Sequence, residues 1–198
     1  MNNFNEIMKA RRSFYNIGAR EVVEKERIKS IIEDAMLYSP TAMNSQSGRV
    51  VVLFDENHAK LWSIVKETLK KVVPENAFQA TSDKIDSFAA GLGTVLFYED
   101  TEVVRGLEKQ FELYKDNFVP WSYQSSGMLQ YTVWTGLTSE GLGASLQHYN
   151  PLIDDEVRKT FGIPDTYKLM SQMPFGSVEG QPGARNASPV AERVTVLS

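Results

Sequence analysis

The chain has no cysteine in 198 residues. That absence removes disulfides, thiolate nucleophiles and sulfur-ligated metals at once, so redox chemistry has to come from a bound cofactor. Histidine is almost missing too. His58 and His148 are the only two, and neither stands at metal-ligand spacing from the other or from a cysteine. His58 reads as a surface residue at the start of a helix, and His148 as a turn residue. Positive charge is scarce: Lys and Arg total 21 against 25 Asp and Glu, a net charge of −4. No basic stripe exists to displace counterions from a nucleic acid. Long apolar runs are also lacking. Val50-Val51-Val52-Leu53-Phe54 is far too short to cross a bilayer, and Met1 to Glu6 has no signal-peptide apolar core. The expectation is a cytoplasmic protein with neither membrane nor nucleic-acid partners. Leu146 and Leu96 stand where the third glycine of G-x-G-x-x-G would follow Gly141-Leu142-Gly143 and Gly91-Leu92-Gly93, and no phosphate-loop lysine motif occurs. Ser13, Ser126 and Ser145 lack a nucleophile-elbow context. Asp83, Asp86, Asp154 and Asp155 read as helix-face and helix-start charges rather than a catalytic pair.

Among what is present, Ser39-Pro40-Thr41-Ala42-Met43-Asn44-Ser45-Gln46 is the most informative stretch. It leaves a periodic helix and runs into the strand Val50 to Phe54. Pro40 ends the helix by excluding helical geometry from the residue before it and removing a backbone donor. Asn44 and Gln46 then offer amide donors and acceptors at the mouth of a sheet. Either they cap their own loop, as Asx-rich connectors do, or they read a flat heteroaromatic edge that alternates carbonyl and N–H groups, as a flavin's does. Lys9-Ala10-Arg11-Arg12-Ser13 closes a short helix whose buried face is expected to carry Phe4, Ile7 and Met8. Its cations suit a helix C-terminus, and its paired arginines followed by a hydroxyl equally suit a phosphate.

Helical spacing of Ile28, Ile31, Ile32, Ala35 and Met36 marks one helix, and Asn57 is expected to cap another carrying Leu61, Trp62, Val65 and Leu69. Thr94 to Tyr98 and Lys168 to Phe175 read as strands. A helix is expected over Glu102 to Lys115, and Pro120 is expected to open a longer one through Ser139. Gly127, Thr132, Thr135, Gly136 and Ser139 line that helix with small residues, which permits close approach of another backbone. Glu179 to Ser188 reads as an extended arm and Arg193 to Leu197 as a terminal strand. With 42% apolar residues the chain suffices for one core, so residues 1–198 are expected to form a single domain, with 179–198 as an arm.

Taken with Gly91 to Phe97, Phe118 to Ser122, Ser126 to Gln130 and Gly141 to Pro151, these segments resemble the FMN-dependent nitroreductase family. The likeness is to its subgroup of fungal fatty-acid-regulation and bacterial copper-induced nitroreductases. The resemblance implies an α+β fold, a mixed sheet flanked by helices in three layers, assembled as an intertwined homodimer with FMN at the subunit boundary. It also implies that NADH or NADPH reduces the flavin through N5, and that a nitroaromatic, nitroheterocycle or quinone then takes the hydride in ping-pong fashion. A flavin-binding regulatory or stress-response module with incidental reductase activity is the alternative. By position, Arg11, Arg12 and Ser13 match phosphate and ribityl contacts, with Arg185 as a further phosphate ligand. Pro40, Thr41, Ala42, Asn44 and Gln46 match a loop reaching the ring from the other subunit, and Gln147 and His148 a turn whose backbone N–H faces N5. Tyr15 stands where many relatives carry a cation beside the flavin pyrimidine. Lys66, Lys70 and Lys71 are candidate substitutes.

Overall fold

The computed structural model describes residues 3–197. Its centre is strand β3 (Gly93–Asp100), buried at every position. It pairs on one side with β2 (Gly48–Phe54) and on the other with β5 (Tyr167–Val178), which also pairs with β1 (Ile17–Gly18) and β4 (Leu142–Ala144). Every pairing between strands is antiparallel. The parallel contribution to the expected mixed sheet is a single bridge from Ser13 to Ala144. The order β1-β5-β3-β2 leaves β2 at an edge.

Because successive side chains of β3 point to opposite faces, its apolar residues divide between two cores. Val95 and Phe97 pack with Ile28, Ile32 and Ala35 of helix α2 (Lys25–Tyr38) and Leu129, Val133 and Leu137 of helix α6 (Lys115–Ser139). Leu96 and Tyr98 face Leu61, Trp62 and Val65 of α3 (Asp55–Lys70), Ile85 and Phe88 of α4 (Glu75–Ala89) and Val157 of α7 (Asp154–Phe161). The result is the expected three layers. Helix α1 (Phe4–Ala10) and α5 (Thr101–Gln110) complete the set.

Gly136 marks the closest approach of α6 to α2: a Cβ there would lie 2.5 Å from Ile31 Cγ2, so only a hydrogen fits. At Gly127, by contrast, a Cβ would meet nothing within 4 Å.

Several local expectations change. α6 begins at Lys115, so Pro120 lies inside the helix rather than opening it, and α5 stops at Gln110. α3 begins at Asp55, which puts Asn57 inside its first turn and not at its cap. His58 is not a surface residue. It is 3% exposed, with Nδ1 2.9 Å from Thr94 Oγ1 and Nε2 3.2 Å from the Ala89 carbonyl. The Ala89 carbonyl can only accept, so in the neutral ring Nε2 carries the proton and Nδ1 accepts from the Thr94 hydroxyl, which itself accepts from the Trp62 indole N–H. Phe4 and Met8 are exposed, and α1 buries no residue within the chain. Arg193 to Leu197 forms no strand; Val190–Glu192 makes one tight turn and Val196 and Leu197 are among the most exposed apolar residues.

Candidate active site

Arg11, Arg12, Ser13 and Arg185 meet around one cavity of about 560 Å³, closed by Tyr15, Asn16 and the Gly180–Ala184 stretch of the arm. The backbone explains the convergence. Asn3 and Glu6 cap the start of α1 reciprocally, and the helix ends at Arg11, whose backbone turns extended. Phe14 N–H then donates to the Ala144 carbonyl, laying the basic segment beside β4. From the other direction, Glu179 N–H donates to the Asn16 carbonyl, and the Arg12 guanidinium donates to the Gly183 carbonyl at 2.6 Å. Arg11 stacks over Trp134 of α6, with its guanidinium carbon 4.3 Å from the ring centroid. The ion pairs among the described residues engage other basic groups, and Arg11, Arg12 and Arg185 belong to none. Three guanidiniums around one cavity without a carboxylate fit a phosphate dianion.

The second group forms elsewhere. Thr41, Asn44 and Gln46 line a cavity of about 790 Å³ with Ile32 and Met36 of α2, Glu99 of β3, and Ser126 and Leu129 of α6. No residue lines both cavities. Pro40 and Ala42 shape this loop without lining the larger space. Ala42 N–H donates to Ser125 Oγ, Asn44 N–H to the Thr41 carbonyl, and Gln46 N–H to Thr41 Oγ1. Met43, Asn44 and Gln46 all have positive φ, at 54°, 52° and 47°. Non-glycine residues in that region cost on the order of 1 kcal/mol each, so the surrounding contacts must hold the loop. The side-chain amides of Asn44 and Gln46 take no partner among the described residues and are exposed. They are therefore free for a ligand rather than consumed as local caps.

Beneath the loop, Ser47 Oγ donates to Glu99 Oε2 at 2.6 Å. Burial pushes the Glu99 carboxyl above its usual range, against the opposing pull of that hydrogen bond and of Arg49.

The turn after β4 is more committed than expected. Gln147 exchanges both backbone hydrogen bonds with Gln172, at 2.7 and 2.9 Å, and its side chain donates to Ser145. Its N–H is thus unavailable to a ligand. The exposed His148 has no backbone partner among the described residues, so within the turn expected to present a backbone N–H to a flavin, that of His148 is free and that of Gln147 is not.

The cation beside Tyr15 is one the sequence did not single out. Lys84 of α4 places its Nζ 5.6 Å from the Tyr15 ring centroid and 5.8 Å from that of Phe88. Lys66 is instead paired with Asp86 at 2.7 Å, which removes it as a free substitute. The spacing of Lys84 and Phe88 by one helical turn was the available signal. Close by, burial and the neighbouring Tyr15 push the Tyr149 phenol up to about 12.

A model of the nitroreductase family matches residues 8–177. The putative nitroreductase HBN1 of Saccharomyces cerevisiae is 31% identical over 158 residues, 80% of this chain and 78% of the yeast protein. The nitroreductase CinD of Lactococcus lactis, solved with nicotinic acid, superposes with a TM-score of 0.92 at 44% identity, covering 99% of this chain and 100% of CinD. Other structures of CinD hold chloramphenicol and 4-nitrophenol. A nitroreductase from Desulfitobacterium hafniense with bound FMN shares the fold at a TM-score of 0.75, with 16% identity over the whole of both chains. Among the described residues no helix is long and apolar enough to cross a membrane, and no acidic, His or Cys group is arranged to hold a metal. A match extending from the last turn of α1 through β5, joined to a 44%-identical structural relative, establishes that this chain belongs to the nitroreductase family of oxidoreductases.

Proposed function

We propose that this chain is one half of a homodimeric FMN-dependent NAD(P)H oxidoreductase that reduces nitroaromatic, nitroheterocyclic or quinone acceptors. The observation that carries this reading is the division of the site. One cavity gathers three guanidiniums that have no carboxylate partner; the other carries the exposed, unpartnered amides of Asn44 and Gln46, and its guanidinium, that of Arg49, is already paired with Asp100. A single copy brings them to separate cavities, whereas two copies juxtapose the loop of one with the cradle of the other. The outer surface supports such pairing. Phe4 and Met8 of α1, Leu37 and Tyr38 at the end of α2, and Met128 and Tyr131 of α6 are all exposed, large apolar side chains of the kind a partner subunit would cover. Residues 1–198 then act as one FMN-binding domain. Its arm, 179–198, closes the cradle through Gly183 and Arg185 and extends its exposed apolar end toward the partner.

In this assignment Arg11, Arg12 and Arg185 hold the phosphate, and Ser13 offers a neutral donor to the phosphate or ribityl chain. Pro40 and Ala42 set the loop. Thr41, Asn44 and Gln46 of the partner face the ring edge, and the His148 N–H donates toward its reactive nitrogen. Lys84, resting on Tyr15 and Phe88, supplies positive charge near the cradle, which favours a reduced anionic ring. Bound FMN would supply the hydride chemistry between nicotinamide and acceptor. The residues bind, orient and polarise, and solvent supplies the protons. The nicotinic acid held by CinD resembles a nicotinamide head group, and its chloramphenicol and 4-nitrophenol ligands both carry nitroaromatic rings, which favours the same substrate classes here. Anaerobic stopped-flow reduction with NADH and with NADPH, followed by mixing with nitroaromatic and quinone acceptors, tests the proposal. Bleaching near 450 nm and recovery on acceptor addition are expected at the catalytic rate; a flavoprotein that bleaches but recovers too slowly for turnover would instead be a sensor.

A further inference from the structure

Arg49 lies outside every group of residues assigned above to FMN, yet it holds the strained loop from below. Its guanidinium donates to the Gln46 carbonyl at 2.7 Å and the Gly48 carbonyl at 2.9 Å. It also reaches Asp100 Oδ2 at 3.0 Å and the Tyr167 hydroxyl at 3.2 Å, and it sits 5.6 Å from the Tyr167 ring centroid. Asp100 is fixed in turn, since its other oxygen caps α5 by accepting from Glu102 N–H and its own N–H donates to the Ser47 carbonyl. A planar five-donor fork serves all of these acceptors at once, and an ammonium could not keep the same geometry.

We propose that Arg49 is a positioning residue for the flavin-ring loop. By pinning the Gln46 carbonyl to β3 and β5, it fixes the backbone at the third of the three positive-φ residues and so aims the free amides of Asn44 and Gln46. This rests on the flavin reading above. Thr41 stitches the loop to itself; the Ser47–Glu99 bond and the Asp100 N–H to the Ser47 carbonyl tie its C-terminal end to β3 at Ser47, and Arg49 extends that anchor to the Gln46 carbonyl.

The test uses the full-length protein with Arg49→Lys, and with Asp100→Asn as a second variant that keeps the α5 cap while weakening the anchor. In the flavin-free protein, hydrogen exchange at Asn44 and Gln46 N–H reports the loop without reference to a cofactor. In the loaded protein, FMN affinity and the flavin band near 450 nm report the ring environment, and melting temperature is the control for global structure. Arg49→Lys should speed loop exchange and weaken FMN binding by about tenfold, the loss of one charge-assisted hydrogen bond's worth of order. It should also shift the flavin band. Arg12→Ala should weaken FMN binding without moving the band, since its effect is on the phosphate. Unchanged loop exchange in Arg49→Lys overturns the proposal. So does a loosened loop with wild-type affinity and spectrum, which would make Arg49 merely structural. If the wild-type protein binds no FMN, the flavin reading itself fails, and loosened exchange in Arg49→Lys would then describe a loop clamp with no role toward a ring.

Discussion

Trp134→Leu should weaken FMN binding although Trp134 lines neither cavity. The Arg11 guanidinium rests 4.3 Å above its ring centroid and 6.0 Å from that of Tyr131, so the indole face holds a cation that has no carboxylate partner. A cation–π contact at a partly desolvated site contributes about 0.5–2 kcal/mol. Losing it should allow Arg11 to leave the phosphate, weakening FMN by about two- to thirtyfold at roughly 1.4 kcal/mol per decade. Trp134 also packs against the α2–α6 core, and its removal will lower stability for that separate reason. Trp134→Phe keeps a π face and should retain most of the affinity. Flavin-fluorescence titrations of Arg11→Ala, Trp134→Leu and the double variant separate the two effects, with Lys9→Ala as a control expected to bind nearly as wild type. If Trp134 acts through Arg11, the double variant binds no more weakly than Arg11→Ala alone. Fully additive losses, or a Trp134→Leu variant of wild-type affinity, would refute the reasoning.

Three further outcomes are expected. On the proposed assignment the purified protein should be yellow and release FMN on acid extraction, because Arg11, Arg12 and Arg185 converge on one cavity and neither Gly-x-Gly pair has dinucleotide-loop spacing; recovery of FAD would contradict this. Deleting residues 180–198 should reduce both dimerisation and flavin content, since the same arm carries Arg185, closes the cradle and presents Val194, Val196 and Leu197 outward; a truncated chain that sediments as a fully flavinated dimer would show the arm to be accessory. His58 should make folding acid-sensitive. Its pKa is held below the ordinary 6.5, chiefly by burial, against the hydrogen bonds at Ala89 and Phe88 and the charge of Asp55. The unfolded chain therefore takes up this proton first, so the stability it contributes is present above pH 6.5 and is lost as pH falls below it. Urea titrations of wild type and His58→Gln across that window should converge as pH falls, and parallel curves would exclude the mechanism.

The elements whose burial follows a simple period were legible in the sequence. α2 and the strands β3 and β5 stand where the spacing of Ile28, Ile32, Val95 and Phe97 puts them. Basic and amide groups were legible as well, because arginine beside a hydroxyl and paired amides after a helix-ending proline carry local chemistry. His58 was misread because nothing local distinguishes a helix-start histidine in water from one bound to Thr94, 36 residues away. The terminal strand was misread for a related reason. Arg193 to Leu197 has strand composition, but a strand exists only where an edge pairs with it, and the single chain provides none to that segment.

By itself the sequence carried the local chemistry: with no cysteine and no metal-ligand spacing, redox chemistry has to come from a bound cofactor, and Arg11-Arg12-Ser13 and Asn44-x-Gln46 are the groups the chain offers to one. Only the tertiary structure decided how those groups divide. Whether Arg185 joins Arg12 depends on an arm folding back to Gly183, and whether Gln147 or His148 offers its N–H depends on Gln172 across the sheet. It also decided that Lys84, and not Lys66, sits beside Tyr15, because Asp86 is one helix away from Lys66 and neutralises it. Local propensity and side-chain chemistry are written in neighbouring residues. Pairing between residues far apart is set by the packing of layers, and that is where the site acquires its shape.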